Sequence, residues 1–273
     1  MKPETAVVVD VRAVDVGYFS TKLTLGRKLV GNASTIATAL FPNLAPRLPA
    51  NMSMQTALHG KPDGSVVDVD DVNYFVGRDA ILYSSGREPR EVLADYSMTE
   101  KYHALMRGAF HYIAQDAKAT SEMVIRHLVL GLPLNTFGEN RDRLAARAAR
   151  EHLLPDPTNP GAMRRITVEK ASIIRDKAPS VTTAGNTYEL APYTSAIEAV
   201  LKESTDKMVA RLGLLDNLDL ILFTGGGAKV YFEFFKSRYP KFTNIMFMDD
   251  DPFFSNVKDF HVAGEIMSKP KTI

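Results

Sequence analysis

Val14-Asp15-Val16-Gly17-Tyr18-Phe19-Ser20-Thr21-Lys22 is the stretch on which the reading of this chain turns. It closes a run from Ala6 to Val16 rich in β-branched residues, which predicts a buried strand. Gly17 breaks that run, and Thr21–Leu25 followed by Gly26 predicts a second strand, giving a β-hairpin with Asp15 at its tip. A carboxylate at a strand end, followed at once by a glycine turn, suits a magnesium–nucleotide site. Glycine lets backbone N–H groups approach phosphate oxygens while the carboxylate faces the metal or its waters. Ser20, Thr21 and Lys22 add hydroxyls and a cation. Asp and Gly are also the commonest turn residues, so an ordinary hairpin turn is the competing reading.

A second glycine-bearing turn lies far downstream, in Leu220-Ile221-Leu222-Phe223-Thr224-Gly225-Gly226-Gly227-Ala228. A buried strand running into three consecutive glycines and a helix start is rarely mere punctuation. Such glycines carry an entropic cost and supply no core contacts, so they belong where backbone passes close to a flat or charged ligand. No Gly-Lys-Ser/Thr follows, and the spacing is not that of a dinucleotide fold.

Between the two turns, strand and helix signals alternate. Val66–Val76 reads as two short strands around a charged turn, Asp68 to Asp71. Helical periodicity begins near Thr99 and places Tyr102, Leu105, Met106, Ala109, Phe110 and Ile113 on one face. Val124–Leu130 predicts a buried strand, Asn140–Leu153 a helix, and Ile166–Ile174 a further strand. Phe41–Ala50, with Pro42, Pro46 and Pro49, reads as an extended loop. Ala191–Leu212 is an amphipathic helix with Ala196, Ile197, Val200, Leu201, Met208, Val209 and Leu212 on its apolar face. Leu218–Thr224 and Ile245–Met248 are the last strands. The alternation predicts an α/β architecture with a mixed sheet.

Composition narrows the classes of function. The 273 residues, 45% of them hydrophobic, suffice for one large domain or two modest ones. Lys plus Arg number 33 against 32 Asp plus Glu, so bulk charge does not favour nucleic acid. The absence of cysteine excludes disulfides, thiolate metal sites and a cysteine nucleophile. The six histidines show no zinc-type spacing, and His103 and His111 read as packing residues on one helix. Asp249-Asp250-Asp251 reads as a solvated loop, and the Arg141, Arg143, Arg147 and Arg150 stripe as a solvated face or a protomer contact. No segment reaches the roughly 18 apolar residues that a membrane helix needs, and the expected location is cytoplasmic.

Taken together and in order, the two turns resemble the phosphate-1 and adenosine loops of the actin-like ATPases. Further stretches narrow the resemblance to plasmid-segregation actins of the ParM/StbA type. They are Phe41-Pro42 with Ala45-Pro46-Arg47, Asn73-Tyr74-Phe75-Val76-Gly77-Arg78-Asp79-Ala80, Val129-Leu130-Gly131-Leu132-Pro133-Leu134 and Pro252-Phe253-Phe254-Ser255-Asn256-Val257-Lys258-Asp259-Phe260. The nearest subgroup by these motifs is PRTRC system protein D. The resemblance implies an actin-like, ribonuclease H-like ATPase fold, with two lobes around a nucleotide cleft. It implies a first lobe over residues 1–174, a linker over 175–190 and a reduced second lobe over 191–273. It also implies ATP or GTP with Mg, filament formation, and a DNA-bound adaptor protein in place of direct DNA contact, with no membrane. Asp15 would act on the Mg-bound water shell as a catalytic and metal-side carboxylate. Gly17, Tyr18, Ser20, Thr21 and Lys22 would cradle the phosphates, and Thr224, Gly225, Gly226, Gly227 and Ala228 would approach the adenosine and α-phosphate. Asn256 and Phe260 would fix the closing helix.

The chain departs from the family at one place. The family's second phosphate loop, a strand carrying Asp-x-Gly between the lobes, has no counterpart, since the one strand-embedded Asp-x-Gly is Asp15-Val16-Gly17. The position that orients the attacking water falls near Arg175-Asp176, which makes Asp176 the second catalytic candidate. Either a segment is missing from the sequence or the second lobe is reduced, and in the latter case hydrolysis suffers.

Overall fold

The computed structural model describes residues 6–17, 19–49, 62–84, 95–133, 136–156, 159, 161–176, 194–212, 215–225 and 227–269. Strand β1 (Val7–Val16) turns into β2 (Ser20–Val30), which turns again into β3 (Ala33–Pro42), all antiparallel neighbours. Gly26 does not end β2 as its sequence position suggests. It sits at φ 94° where the register to β3 shifts between Thr24 and Gly26, forming a bulge. A Cβ there would meet the Arg12 guanidinium at 2.9 Å, so a bare backbone makes room for that side chain. Phe41 and Pro42, read as loop from the prolines, are the end of β3; Pro42 is tolerated because β3 is an edge strand.

The charged turn is a two-residue hairpin between β4 (Ser65–Val69) and β5 (Val72–Val76), with Asp70 and Asp71 both at positive φ. Helix α1 (Glu100–Asp116) starts on Thr99, whose hydroxyl accepts the Tyr102 N–H. Its Leu105, Ala109, Phe110 and Ile113 are buried as the periodicity predicts. The long strand β6 (Glu122–Pro133) then runs parallel to β1. Helix α2 spans Phe137–Ala148, shorter than the sequence suggests, because Glu151–Pro155 forms β7. His152 and Leu154 are buried while their neighbours are exposed or half-buried, so the two-residue period of pairing with β8 (Met163–Val168) overrides helical propensity. The single strand expected over 166–174 is instead β8 followed by β9 (Ala171–Asp176), both parallel to β6. The result is a seven-stranded mixed sheet ordered β3-β2-β1-β6-β8-β7, with β9 also on β6.

Contacts divide the chain into two units, residues 1–177 with 257–273, and residues 178–256. In the first, Val14, Leu23, Leu128 and Leu130 enter one core with α1. Val11 and Val129, of opposite strand parity, meet Gly264 of the last helix, α5 (Ser255–Ser268). The sequence reading put 191–273 in a second lobe; residues 257–273 cluster with the first unit because α5 lies on β1 and β6.

The second unit contains α3 (Thr194–Leu212), β10 (Ile221–Phe223), α4 (Ala228–Arg238) and β11 (Met246–Met248), with β10 and β11 parallel. Its core holds Leu215, Phe223, Ala228, Phe235, Phe242 and Met246. On α3, Leu201 and Thr205 are buried, Met208 and Val209 half-buried and Val200 exposed, while the side chains of Ala196, Ile197 and Leu212 lie outside the described residues.

Candidate functional site

The hairpin of the first unit is built by register. Asp15 pairs with Lys22 and Val16 with Thr21, leaving the turn to the residues between. Directly opposed on the ladder, Lys22 Nζ lies 3.6 Å from Asp15 Oδ2, with each side chain only 13% exposed. A carboxylate and a cation thus sit side by side at the end of a central parallel strand. Gly17 N–H donates to Ser20 O at 3.2 Å, and a Cβ on Gly17 would meet that same oxygen at 3.2 Å. The turn is therefore too tight for a larger residue without adjustment.

The turn is held from behind by Asn43, which follows β3 and is 5% exposed. Its backbone N–H donates to Phe19 O at 3.0 Å, and its side-chain Nδ2 donates to Gly17 O. Tyr96 OH donates to Asn43 Oδ1 at 2.9 Å and accepts from Asn43 Nδ2 at 2.8 Å, and the Tyr96 ring meets Tyr102 edge-on at 5.6 Å. Two buried hydroxyls in this neighbourhood have no hydrogen-bond partner, Thr21 Oγ1 and Tyr102 OH. Burial, then the negative charge of Asp15, push the Tyr102 hydroxyl upward, so it remains a protonated donor.

The glycine turn of the second unit follows β10. Gly225 adopts φ 88°, which favours glycine, and its N–H donates to Pro252 O at 2.6 Å. Gly225 O accepts the Ala228 N–H at 3.0 Å, and Gly227 caps α4, whose N-terminus presents backbone N–H groups to an anion. Thr224 is half-buried and Ala228 buried beside it. The aspartate run is a brace for this turn rather than a solvated loop. Asp249 N–H donates to Phe223 O at 3.2 Å, and the Asp249 carboxylate accepts from Asp251 N–H at 3.0 Å and Ser255 OH at 2.8 Å. Among the described residues no group of three or more His, Asp or Glu side chains could hold a metal.

Sequence reasoning and structure meet unevenly at these sites. Asp15, Gly17, Ser20, Thr21 and Lys22 are together on one hairpin, and Thr224, Gly225, Gly227 and Ala228 on one strand-to-helix turn. Tyr18 and Gly226 lie outside the described residues. Asp176 closes β9 opposite Pro133. Sequence reasoning missed Asn43, Tyr96 and Tyr102 as site residues. For Asn43, a polar residue directly after the edge-strand Pro42 was the available signal; Tyr102 read as part of the apolar face of a helix, and nothing in the sequence set Tyr96 apart.

This fold is that of the actin-like proteins: a mixed sheet carrying a glycine-turn hairpin, joined to a unit with a glycine-rich strand-to-helix turn. It matches apo psk41 ParM with a TM-score of 0.68 at 14% identity, covering 96% of this chain and 98% of that one. It also matches a 15-stranded ParM filament from Clostridium botulinum, at a TM-score of 0.62 and 14% identity over 94% and 99% of the two chains. An AlfA filament bound to AMPPNP gives a TM-score of 0.58 at 14% identity over 94% and 95%. The family described as actin-like proteins, N-terminal domain, matches residues 13–176, and the chain belongs to it. No curated protein matches the chain in sequence.

Proposed function

We propose that this chain is an actin-like nucleotide-binding protein that assembles into filaments and serves plasmid segregation, within the subgroup of PRTRC system protein D. The observation that carries the reading is the Asp15–Lys22 pair beside the Gly17 turn at the end of β1. Backbone N–H groups and a lysine suit phosphate, and the carboxylate suits a magnesium ion through its waters; the Thr21 hydroxyl, buried without a partner, lies on the same strand as Lys22. When bound, magnesium would neutralise phosphate charge; the chain's own part is to bind and orient. Asp15 would order the metal's water shell, Lys22 and the Gly17 turn would hold the phosphates, and the Thr224–Ala228 turn would receive the adenosine end. An AlfA filament bound to AMPPNP and a Bacillus thuringiensis ParM with ADP are of the same fold, which supports an adenine nucleotide. Filament relatives support self-association, and the near-balanced charge supports an adaptor between filament and DNA.

The test is the melting temperature with and without Mg-ATP, in the parent and in Asp15→Ala. A ligand that binds the native state alone raises stability by about 2.7 kcal/mol at a hundred times its Kd. A rise in the parent that is lost in D15A is expected; no rise in the parent refutes nucleotide binding. Light scattering after addition of Mg-ATP then reads assembly.

A second reading is a non-enzymatic actin-fold interaction protein. The observation that favours it is the lack of a second strand-embedded Asp-x-Gly in the sequence. It predicts phosphate release at background level with stable partner binding.

A further inference from the structure

We infer that Asn43, anchored by Tyr96, is the positioning residue that sets the polarity of the Gly17–Ser20 turn and so makes it a phosphate receptor. The inference rests on the nucleotide reading above and adds to it two residues that lie outside both loops.

Backbone turns present either face to a ligand. A turn whose carbonyls face outward repels phosphate, and one whose N–H groups face outward attracts it. Asn43 takes hold of two carbonyls of this turn, Phe19 O with its backbone N–H and Gly17 O with Nδ2. In a trans peptide the C=O and the following N–H point in opposite directions, and the described chain has no cis peptide. Drawing Phe19 O toward Asn43 therefore turns the Ser20 N–H away from it. Gly17 O is held likewise, so neither captured carbonyl is directed at an anion on the far side of the turn.

The amide must also be kept from rotating. Only Nδ2 can donate to Gly17 O, since a carbonyl oxygen accepts and does not donate. Gly17 O, which only accepts, sets the sense of the amide, and the Tyr96 hydroxyl holds it in place from the other side, donating to Oδ1 at 2.9 Å and accepting from Nδ2 at 2.8 Å. Tyr96 is in turn set by the edge-on Tyr102 ring at 5.6 Å, and Tyr102 stands at the start of α1, where its N–H is capped by Thr99 at 3.2 Å. A chain of contacts thus runs from a helix N-terminus to the turn. Asn43 is 5% exposed and Tyr102 2% exposed, with Tyr96 and Gly17 half-buried, so water has limited access to the amide.

The experiment compares the parent with Tyr96→Phe, which keeps the ring and removes the hydroxyl alone, and with Asn43→Ala. Affinities are measured for Mg-ATP and for adenosine, and amide hydrogen exchange at Gly17 is followed without nucleotide. Loss of one buried hydrogen bond corresponds to about tenfold in an equilibrium constant. The expected result is a drop of about tenfold in Mg-ATP affinity in both variants, adenosine affinity unchanged, and faster exchange at Gly17. Parental Mg-ATP affinity in both variants overturns the inference, and so does an equal loss for Mg-ATP and adenosine, which marks general damage. If the parent binds no Mg-ATP, the nucleotide reading fails and the receptor role with it. Exchange at Gly17 then still decides whether Asn43 and Tyr96 hold the turn, unchanged exchange being the negative result.

Discussion

A single missing Cβ can matter as much as a charged group in this chain. Gly264, in α5, lies where a Cβ would meet Val11 Cγ1 and Val129 Cγ2, each at 2.6 Å. Both valines stand on the two central strands of the sheet and have stiff χ1 angles, so neither methyl can swing aside. Replacing Gly by Ala inside a helix ordinarily gains about 1 kcal/mol. Overpacking a tight core costs about 1–3 kcal/mol, and here it acts against two strands at once. Gly264→Ala is therefore expected to lower the urea midpoint, with a net loss of about 1 kcal/mol; a raised midpoint would show that α5 can lift off the sheet cheaply. Gly131 meets the same helix from the strand side, where a Cβ would lie 2.4 Å from the Phe260 ring. The motif stretches around Gly131 and Phe260 are thus two halves of one contact.

At the scale of elements, local conformation and sheet pairing compete, and the hairpins show both outcomes. The β4–β5 turn uses Asp70 at φ 51° and Asp71 at φ 65°, the left-handed pair that a two-residue hairpin demands. Aspartate tolerates that region but does not prefer it. Asp71→Gly is expected to stabilise the protein by about 0.5 kcal/mol, read as a small rise in melting temperature with nucleotide binding unchanged. Asp70 is the poorer choice because its carboxylate lies 3.7 Å from Arg147. That contact, with Arg147 Nη1 donating to Met98 O at 3.0 Å, shows that the arginine stripe of α2 is partly spent inside the first unit. The β7 strand teaches the opposite lesson. Residues 151–153 continue a helical pattern in sequence, yet pairing with β8 satisfies their backbone and buries His152.

Across the whole molecule, buried histidines set the response to acid. His103, His152 and His261 are each 2–3% exposed. Burial lowers His103 to about 3, with Arg147 and Arg150 adding to it, and lowers His152 and His261 to about 4. Folded values below the unfolded value of about 6.5 mean that the unfolded chain binds more protons in between. The stability they contribute is complete above about pH 6.5 and is lost as pH falls toward 4. Each pH unit in that window costs up to roughly 1.4 kcal/mol per histidine. The expected outcome is a melting temperature that falls steeply below pH 6 and a shallower acid limb in His103→Phe. His103 is the sharpest test because neither ring nitrogen has a hydrogen-bond partner. His261 differs, sharing Thr24 Oγ1 at 2.8 Å, so its replacement also releases α5 from β2.

The sequence by itself determined the α/β class, the α1 helix with its buried face, the hairpin at Asp15 and the strand-to-helix glycine turn. Each of these is written in near neighbours: β-branched runs, three- and four-residue periodicity, and glycines where backbone must bend. Only the tertiary structure decided that Gly26 bulges a strand instead of ending it and that residues 151–155 pair as a strand. It also decided that the last helix returns to the first sheet and that Asn43 and Tyr96 hold the Gly17 turn. These depend on partners far along the chain, such as Gly17 with Asn43 and Asn43 with Tyr96. A residue type alone does not say which distant carbonyl, ring or strand edge it will meet; packing and pairing across the sheet make that choice.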